Sequence, residues 1–543
     1  MMQFREVTLN LRGGRGGHPN WGRSMAQTRI GSGVVVDAPA SVGVSPRGAG
    51  AGLAAAAVAP ADSSDLGKAL SAAGLVLTAD FDLEPAVRGP GSALGTGTKS
   101  VKVKVDVSRN ESALLLVETE GGVFAWSYPQ AREAKVPPGL GAALAAARGA
   151  ATLTFDLSPA SAAPGPSISL KSLKGSPLLD WVIDKTVGAV RTRVLKFAVG
   201  KIEDVVVERI EGGLRPGLTS LADGDPTLWW AGEAAPQVGG GPGPRRILLM
   251  VHGTFSTTAG SFGALASTSE GKTFLQAART KYDAILGFDH KTLALGVDQN
   301  ASAMLDALSP LLPNGSTIDA IAYSRGGLVY RAFAETHLPR SRPDLTLGKA
   351  VFVGCTNGGT HLAEPDNWQT LVDLYTNAVV AASRIVGAVA GAGPLNPVVT
   401  QSIETIASFV KYFAVVGVTD RRVPGLADME PHSSLGEALN TADTGAGALA
   451  DYFAITSNFK AKFDPEKGVT KELQQMILDK VTNRLFQEDN DLVVDTASMT
   501  AFGTRQGQLQ DMHVFKFGDL EDVYHTVYFA TPEAATKLQA WLI

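Results

Sequence analysis

IAYSRGGLVY, residues 321–330, is the stretch on which the reading of this chain turns. The apolar run Ile321-Ala322-Tyr323 stops abruptly at Ser324-Arg325-Gly326-Gly327, and an apolar run resumes at Leu328. The residues after the serine, GGLVYRAFAETHL (326–338), have helical spacing, so Ser324 sits between a predicted strand and a predicted helix. A serine on a sharp strand-to-helix turn presents its hydroxyl as a nucleophile, and its neighbours must be small because the turn is tight. Ala322 departs from the Gly-x-Ser-x-Gly pattern by one methyl group. The ten residues fit a nucleophile and an ordinary serine in a glycine-rich bend equally well. A base, an acid and donors for a developing negative charge must come from elsewhere in the chain, in a workable order.

Working outward, short apolar runs alternate with helical stretches: ILLMVHG (247–253), YDAILGF (282–288), IDAIAYS (318–324), KAVFVGC (349–355), YFAITSN (452–458) and HVFKFGD (513–519). Continuous apolar runs separated by helices are the pattern of a buried, mostly parallel sheet covered by helices, so residues 247–543 predict an α/β domain. Between about 361 and 445 lie apolar helices without a convincing strand, a candidate cap or lid. Upstream, VLTADFDL (76–83), the alternating SVKVKVDV (100–107), the two runs of LLLVETEGGVFAW (114–126) and ATLTFDL (151–157) predict a small antiparallel β domain at 66–170. Residues 1–65 are rich in Gly, Ala, Ser and Pro and read as a partly flexible segment. In 177–212 the apolar residues fall at three- and four-residue steps, with Lys185, Arg191, Arg193, Lys196 and Lys201 opposite, so 171–236 reads as a helical connector. A basic amphipathic helix of this kind either packs one domain on another or makes peripheral contact with a lipid surface. QVGGGPGPRR (237–246) is a linker by composition.

Composition bounds the function classes. At 543 residues the chain predicts two or three domains. Apolar residues at 45% and charged residues at 19% describe a globular protein, and a formal charge of −5 argues against a general nucleic-acid binder. The single cysteine, Cys355, excludes an intramolecular disulfide and a cysteine metal cluster, and reads as a small buried residue. MMQFREVTLNLRGGRGG has no continuous apolar segment after its charges, which predicts no secretory signal. Ala378–Pro394 is broken by Arg384 and glycines and falls short of the roughly 20 residues a membrane span needs. The expectation is a soluble, cytoplasmic protein.

Candidates for the missing chemistry flank Ser324. His252-Gly253 ends the first strong strand, where a following backbone N–H, that of Thr254, can pair with that of Arg325 to hold an oxyanion, with His252, Gly253 and Phe255 supporting the loop. In FQEDNDLVVDTASM (486–499) acidic residues precede Val493-Val494, and His525 in VYHTVYF comes shortly before a final helix (PEAATKLQAWL, 532–542). An acid in a late loop and a histidine before the last helix give the order serine, acid, histidine.

His252-Gly253-Thr254, Ala-Tyr-Ser-Arg-Gly-Gly at 322–327, Thr356-Asn357-Gly358-Gly359-Thr360-His361-Leu362-Ala363 and Asn490-Asp491-Leu492-Val493-Val494 together resemble the lipase-like α/β-hydrolases. The resemblance covers about 300 residues, and nothing comparable marks 1–235. It implies an α/β-hydrolase fold with a helical lid, Ser324 as nucleophile, Asp491 as acid and His525 as base. It departs at Ala322 and at Asp495, where relatives carry proline, and this leaves Asp489 and Asp495 open as acids. His290, His361, His432 and His513 read as structural or spare candidates, and His18 and His337 as surface residues. No His-Glu-x-x-His spacing is present, and neither cofactor nor metal is expected, although calcium held by loop carboxylates stays open. The expected activity is hydrolysis of hydrophobic carboxylic esters. An acyltransferase or thioesterase on the same triad, or a silent interaction scaffold, are the alternatives; the oligomeric state is open.

Overall fold

The computed structural model describes residues 25–40, 42–47, 64–85, 101–119, 122–129, 150–157, 189–199, 210–229, 236, 238–239, 243–390, 397–416, 423–441, 451–460, 489–503, 509, 513–520 and 523–543. His18 and most of residues 1–65 lie outside this set, as do Lys185 and Lys201.

The C-terminal half is built on a seven-stranded sheet of β10 (Gly217–Ser220), β11 (Arg246–Val251), β12 (Ala284–Asp289), β13 (Thr317–Tyr323), β14 (Thr346–Val353), β15 (Asp451–Phe459) and β16 (Val514–Leu520). Their spatial order is β10-β12-β11-β13-β14-β15-β16, and every pairing is parallel except β10 with β12. The apolar runs are continuous because both faces are covered. Leu248 and Met250 of β11 meet Phe274, Leu275 and Leu538 on one side; Ile247, Leu249 and Val251 meet Met304 and Val329 on the other. The covering helices α2 (Ser269–Lys281) and α7 (Pro532–Leu542) lie on the first face, and α3 (Val297–Leu308) and α4 (Gly326–Ala332) on the second. From β11 the chain winds to β12 on one side and then to β13 on the other. The crevice outside the C-terminal ends of β11 and β13 is therefore the topological switch point of the sheet. His252-Gly253-Thr254 and Ser324 stand at these two ends.

β10 lies before the proposed linker and still pairs with β12, so the boundary at 237–246 does not separate the two units. Composition carries no information on pairing across it.

The N-terminal strands form two antiparallel sheets, β1-β2-β5-β8 and β3-β4-β9-β6-β7, from β1 (Met25–Arg29), β2 (Val34–Pro39), β3 (Val42–Pro46), β4 (Val76–Pro85), β5 (Lys102–Val107), β6 (Glu111–Thr119), β7 (Phe124–Ser127), β8 (Ala151–Asp156) and β9 (Val190–Ala198). A shared core of Val36, Val103, Val105 and Phe155 against Phe81, Leu115, Val117 and Val194 joins them face to face. Three of the strands fall within residues 1–65, a segment whose composition gives no sign of them.

The helical connector is corrected. Val190–Ala198 is a strand at the centre of the second sheet, between β4 and β6. Both its faces are buried: Val190 and Val194 enter the shared core, while Leu195 and Phe197 pack toward the C-terminal half. A strand buried on two sides loses the period-2 signal, and its apolar residues then fall by chance at helical steps. Three of the five basic residues have carboxylate partners within the sheet. Arg191 bonds Asp80 at 2.6 Å, Arg193 bonds Glu118 at 2.7 Å and Lys196 reaches Glu111 at 3.4 Å, all across neighbouring strands.

The insertion after β14 is helical as expected, with α5 (Trp368–Ala390) and α6 (Pro397–Val416). They lie between the two halves: α6 packs beside α1 (Asp65–Ala72), and its Phe413 meets Tyr128 edge-on with centroids 5.0 Å apart. No described helix is long and apolar enough to cross a membrane.

Candidate active site

Ser324 has φ +54°, a left-handed conformation that a non-glycine residue adopts only under local constraint. The small residues around it are spatial necessities. A Cβ on Gly326 would lie 2.2 Å from the Val251 carbonyl oxygen, and one on Gly253 would lie 2.7 Å from the Ser324 Cβ. Ala322 is buried in the core beneath the turn, so the extra methyl is accommodated by packing rather than strain.

The C-terminal loops converge on this serine. Its Oγ lies 2.9 Å from His525 Nε2, and His525 Nδ1 lies 2.8 Å from Asp491 Oδ2. A carboxylate can only accept, so Nδ1 carries the ring proton and Nε2 is free to accept from the serine hydroxyl. Asp491 Oδ1 accepts from the backbone N–H of Val493 (3.1 Å) and Val494 (2.8 Å), and its Oδ2 also accepts from the Tyr528 hydroxyl at 2.9 Å. The histidine backbone is tied at both ends: its N–H donates to the Asp491 carbonyl (2.9 Å), and its carbonyl accepts from the Tyr323 hydroxyl (2.7 Å). The acid loop is braced by the 356–363 segment, where Thr360 Oγ1 donates to the Val493 carbonyl and Asn357 to that of Met499. Gly354, at φ +53°, leaves room for Tyr528 and Asp491, since a Cβ there would stand 2.7 Å from the tyrosine ring. Ser324, Asp491 and His525 are each no more than 1% exposed.

The opposite wall is the loop after β11. His252 Nε2 accepts from the His290 backbone N–H at 3.0 Å, so Nδ1 carries the proton and donates to the Gly253 carbonyl at 2.9 Å. Burial holds this imidazole neutral, with a pKa lowered to about 4; the His290 ring, stacked on it 4.1 Å away, is likewise pushed well below the ordinary value by burial. Phe255, at φ +55°, anchors the loop through its N–H to Thr292 Oγ1 (3.2 Å). Thr292 is fixed by the buried carboxylate of Glu211, which accepts from the Thr292 N–H and hydroxyl (both 2.6 Å) and from the N–H groups of Leu293 and Ala294. The backbone N–H groups of Thr254 and Arg325 have no acceptor among the described residues. Two preorganised donors beside Ser324 can hold a negative oxygen without reorganising. The Arg325 side chain points away, donating to the Gly425 and Leu295 carbonyls; burial lowers its pKa to about 10, which leaves it charged.

The other sequence candidates lie apart from Ser324. Asp489 pairs with Lys460 at 3.0 Å, and Asp495 stands at the N-terminus of a short helix, Thr496–Met499. His337 bonds Asp298, His361 bonds Glu364, His513 packs at a tilt against Phe453, and His432 is an exposed residue at φ +60°. Among the described residues no group of three or more His, Cys, Asp or Glu side chains could hold a metal.

Three contributors escape a reading of the sequence. Tyr528 is the third residue after His525, an aromatic in an aromatic run with nothing to separate it from core. Glu211 falls in the segment whose spacing suggests a helical connector. Tyr375, on α5, reaches the same place: its ring packs edge-on against His525 and against Phe255, with centroids 6.4 and 5.0 Å apart.

Residues 216–543 match the model of a family described as Domain of unknown function (DUF7379). No curated protein matches the chain. Among solved structures it is similar to phospholipase PlaB from Legionella pneumophila (18% identity, 47% of this chain and 45% of that one, TM-score 0.29). It is also similar to lipase BlEst2 from Bacillus licheniformis (12%, 56% and 94%, 0.30) and to lipase 1 from Pelosinus fermentans (12%, 55% and 97%, 0.35). The chain spans less than half the length of PlaB. Likenesses this weak carry no functional inference.

Proposed function

We propose that this chain, which belongs to the DUF7379 family, is a serine hydrolase of α/β-hydrolase type that cleaves carboxylic esters through an acyl-enzyme on Ser324. The observation that carries the reading is the unbroken chain Asp491 Oδ2–His525–Ser324 Oγ, at 2.8 and 2.9 Å, on a strained turn at the switch point of the sheet. His525 Nε2 takes the serine proton as Oγ attacks the ester carbonyl, and Asp491 holds the ring and stabilises the imidazolium. The tetrahedral oxygen settles against the N–H groups of Thr254 and Arg325. The imidazolium then protonates the departing alcohol, and a water activated by His525 releases the acid.

Helices α5 and α6 act as a lid over this site. Tyr375 of α5 and Phe409 of α6 both pack on Phe255, and Trp368 packs on Phe409, so the side facing the nucleophile is aromatic. Such a wall favours an apolar acyl chain. The test is labelling by a fluorophosphonate probe, with hydrolysis of an ester series of increasing acyl length. Wild type is expected to be labelled and active and Ser324→Ala to be neither; equal labelling of the two sinks the assignment.

A further inference from the structure

β7 is an edge strand of its sheet, and its outward backbone groups are bound by side chains of a helix instead of another strand. The Phe124 N–H donates to Asn377 Oδ1 at 2.8 Å and the Trp126 N–H to Asp373 Oδ1 at 2.8 Å, while Asn377 Nδ2 donates to the Phe124 carbonyl at 2.7 Å. The Trp126 indole completes the contact by donating to Thr376 Oγ1 at 3.0 Å. The spacing fits physically. Residues four apart on a helix rise about 6 Å, and alternate residues of a strand lie roughly 6.6 Å apart. Asp373, Thr376 and Asn377 are all at least 96% buried. On the same helix Tyr375 lies roughly 160° around the axis from both Asp373 and Asn377. One face of α5 is thus fixed to the N-terminal sheets while the other places Tyr375 between the base and the loop that carries Thr254, its ring edge-on to His525 and to Phe255 with centroids 6.4 and 5.0 Å apart.

We propose that Tyr375 is a third donor to the oxyanion at Ser324, held in place by β7 through the positioning residues Asp373 and Asn377. The inference rests on the ester-hydrolase reading. The developing negative oxygen is one bond from the carbon that Ser324 Oγ attacks, and it settles beside the Thr254 N–H. A hydroxyl on a ring wedged between His525 and Phe255 reaches that oxygen with little movement. Burial keeps the phenol protonated through the working pH range, so it donates a hydrogen bond and its proton stays in place. This gives the N-terminal sheets a part in catalysis, although no residue of theirs touches the reacting atoms.

The test is steady-state hydrolysis of p-nitrophenyl esters by the full chain, comparing wild type, Tyr375→Phe, Asn377→Ala, the double variant and Ser324→Ala as blank. Tyr375→Phe keeps the ring packing and removes one donor. It is expected to lower kcat by about 10- to 100-fold with KM changed less than about threefold. Asn377→Ala, or Asn377→Ser if the alanine variant loses its circular-dichroism signature, is expected to lower kcat in part. The double variant should be no slower than Tyr375→Phe alone, because both act through one hydroxyl. A kcat for Tyr375→Phe at or above wild type overturns the proposal and makes the tyrosine a plug. Losses that multiply in the double variant overturn the positioning role. Turnover that survives Ser324→Ala overturns the nucleophile itself, a result distinct from either.

Discussion

Replacing Asp491 by asparagine tests the acid assignment with almost no change of shape. The carboxylate receives four hydrogen bonds, two at Oδ1 from the N–H groups of Val493 and Val494 and two at Oδ2 from His525 and Tyr528. An asparagine keeps its carbonyl oxygen toward the two backbone donors, which places its NH₂ where Oδ2 stood. That group donates to His525 Nδ1, so the ring proton moves to Nε2. Nε2 then faces Ser324 Oγ, 2.9 Å away, as a donor and cannot accept the serine proton. Forcing the wrong tautomer costs about 10⁴ in kcat, or roughly 5.5 kcal/mol of transition-state stabilisation. The fold should be nearly unaffected because the Oδ1 contacts survive. The assay is ester hydrolysis by wild type, Asp491→Asn, Asp489→Asn and Asp495→Asn, with circular dichroism to confirm folding. Asp489, ion-paired with Lys460, should be almost neutral. Retention of more than a tenth of wild-type kcat by Asp491→Asn, or a larger loss at Asp489 or Asp495, would refute the reasoning.

Gly326→Ala should destabilise the chain by about 2 kcal/mol and abolish probe labelling, since its Cβ would lie 2.2 Å from the Val251 carbonyl; urea unfolding measures the first effect. Glu211→Gln puts an amide nitrogen among three N–H donors and a hydroxyl, so urea unfolding should show a loss of about 2–3 kcal/mol and kcat should fall as the Phe255 loop loosens. For His252 the folded pKa, about 4, lies below the ordinary 6.5 because of burial. The unfolded chain therefore binds more protons between these values: stability is fully present above pH 6.5 and falls as the pH drops toward 4, by roughly 3 kcal/mol. Unfolding midpoints across that window should slope less in His252→Gln than in wild type.

Much of this protein can be read locally. The six apolar runs of the C-terminal half become β11 to β16, and the alternation of Val101 to Val107 becomes a strand, because burial on one or two faces is written directly into residue order. The turn at Ser324 is legible for a similar reason: it demands small neighbours, and Gly253, Gly326 and Gly327 supply them, whereas the acid loop and the histidine are read from chain order and from the resemblance. The failures share one cause. Val190–Ala198 resembles a helix in sequence because neighbours on both faces erase its period, and those neighbours come from the facing sheet on one side and from the C-terminal half on the other. β10 falls on the wrong side of an apparent linker because its partner, β12, lies beyond that linker.

By itself the sequence determined the six strands from β11 to β16, the order in which the candidate nucleophile, acid and base arrive, and that the turn at Ser324 is lined by small residues. Only the tertiary structure decided which aspartate faces His525, that Tyr528 shares it, and that Tyr375 meets His525 from a helix tied to Phe124 and Trp126. Those contacts join residues 34, 37 and about 250 positions apart. Periodicity reports burial along one element; the approach of two elements so far apart is set by how the packed faces of the whole chain fit together.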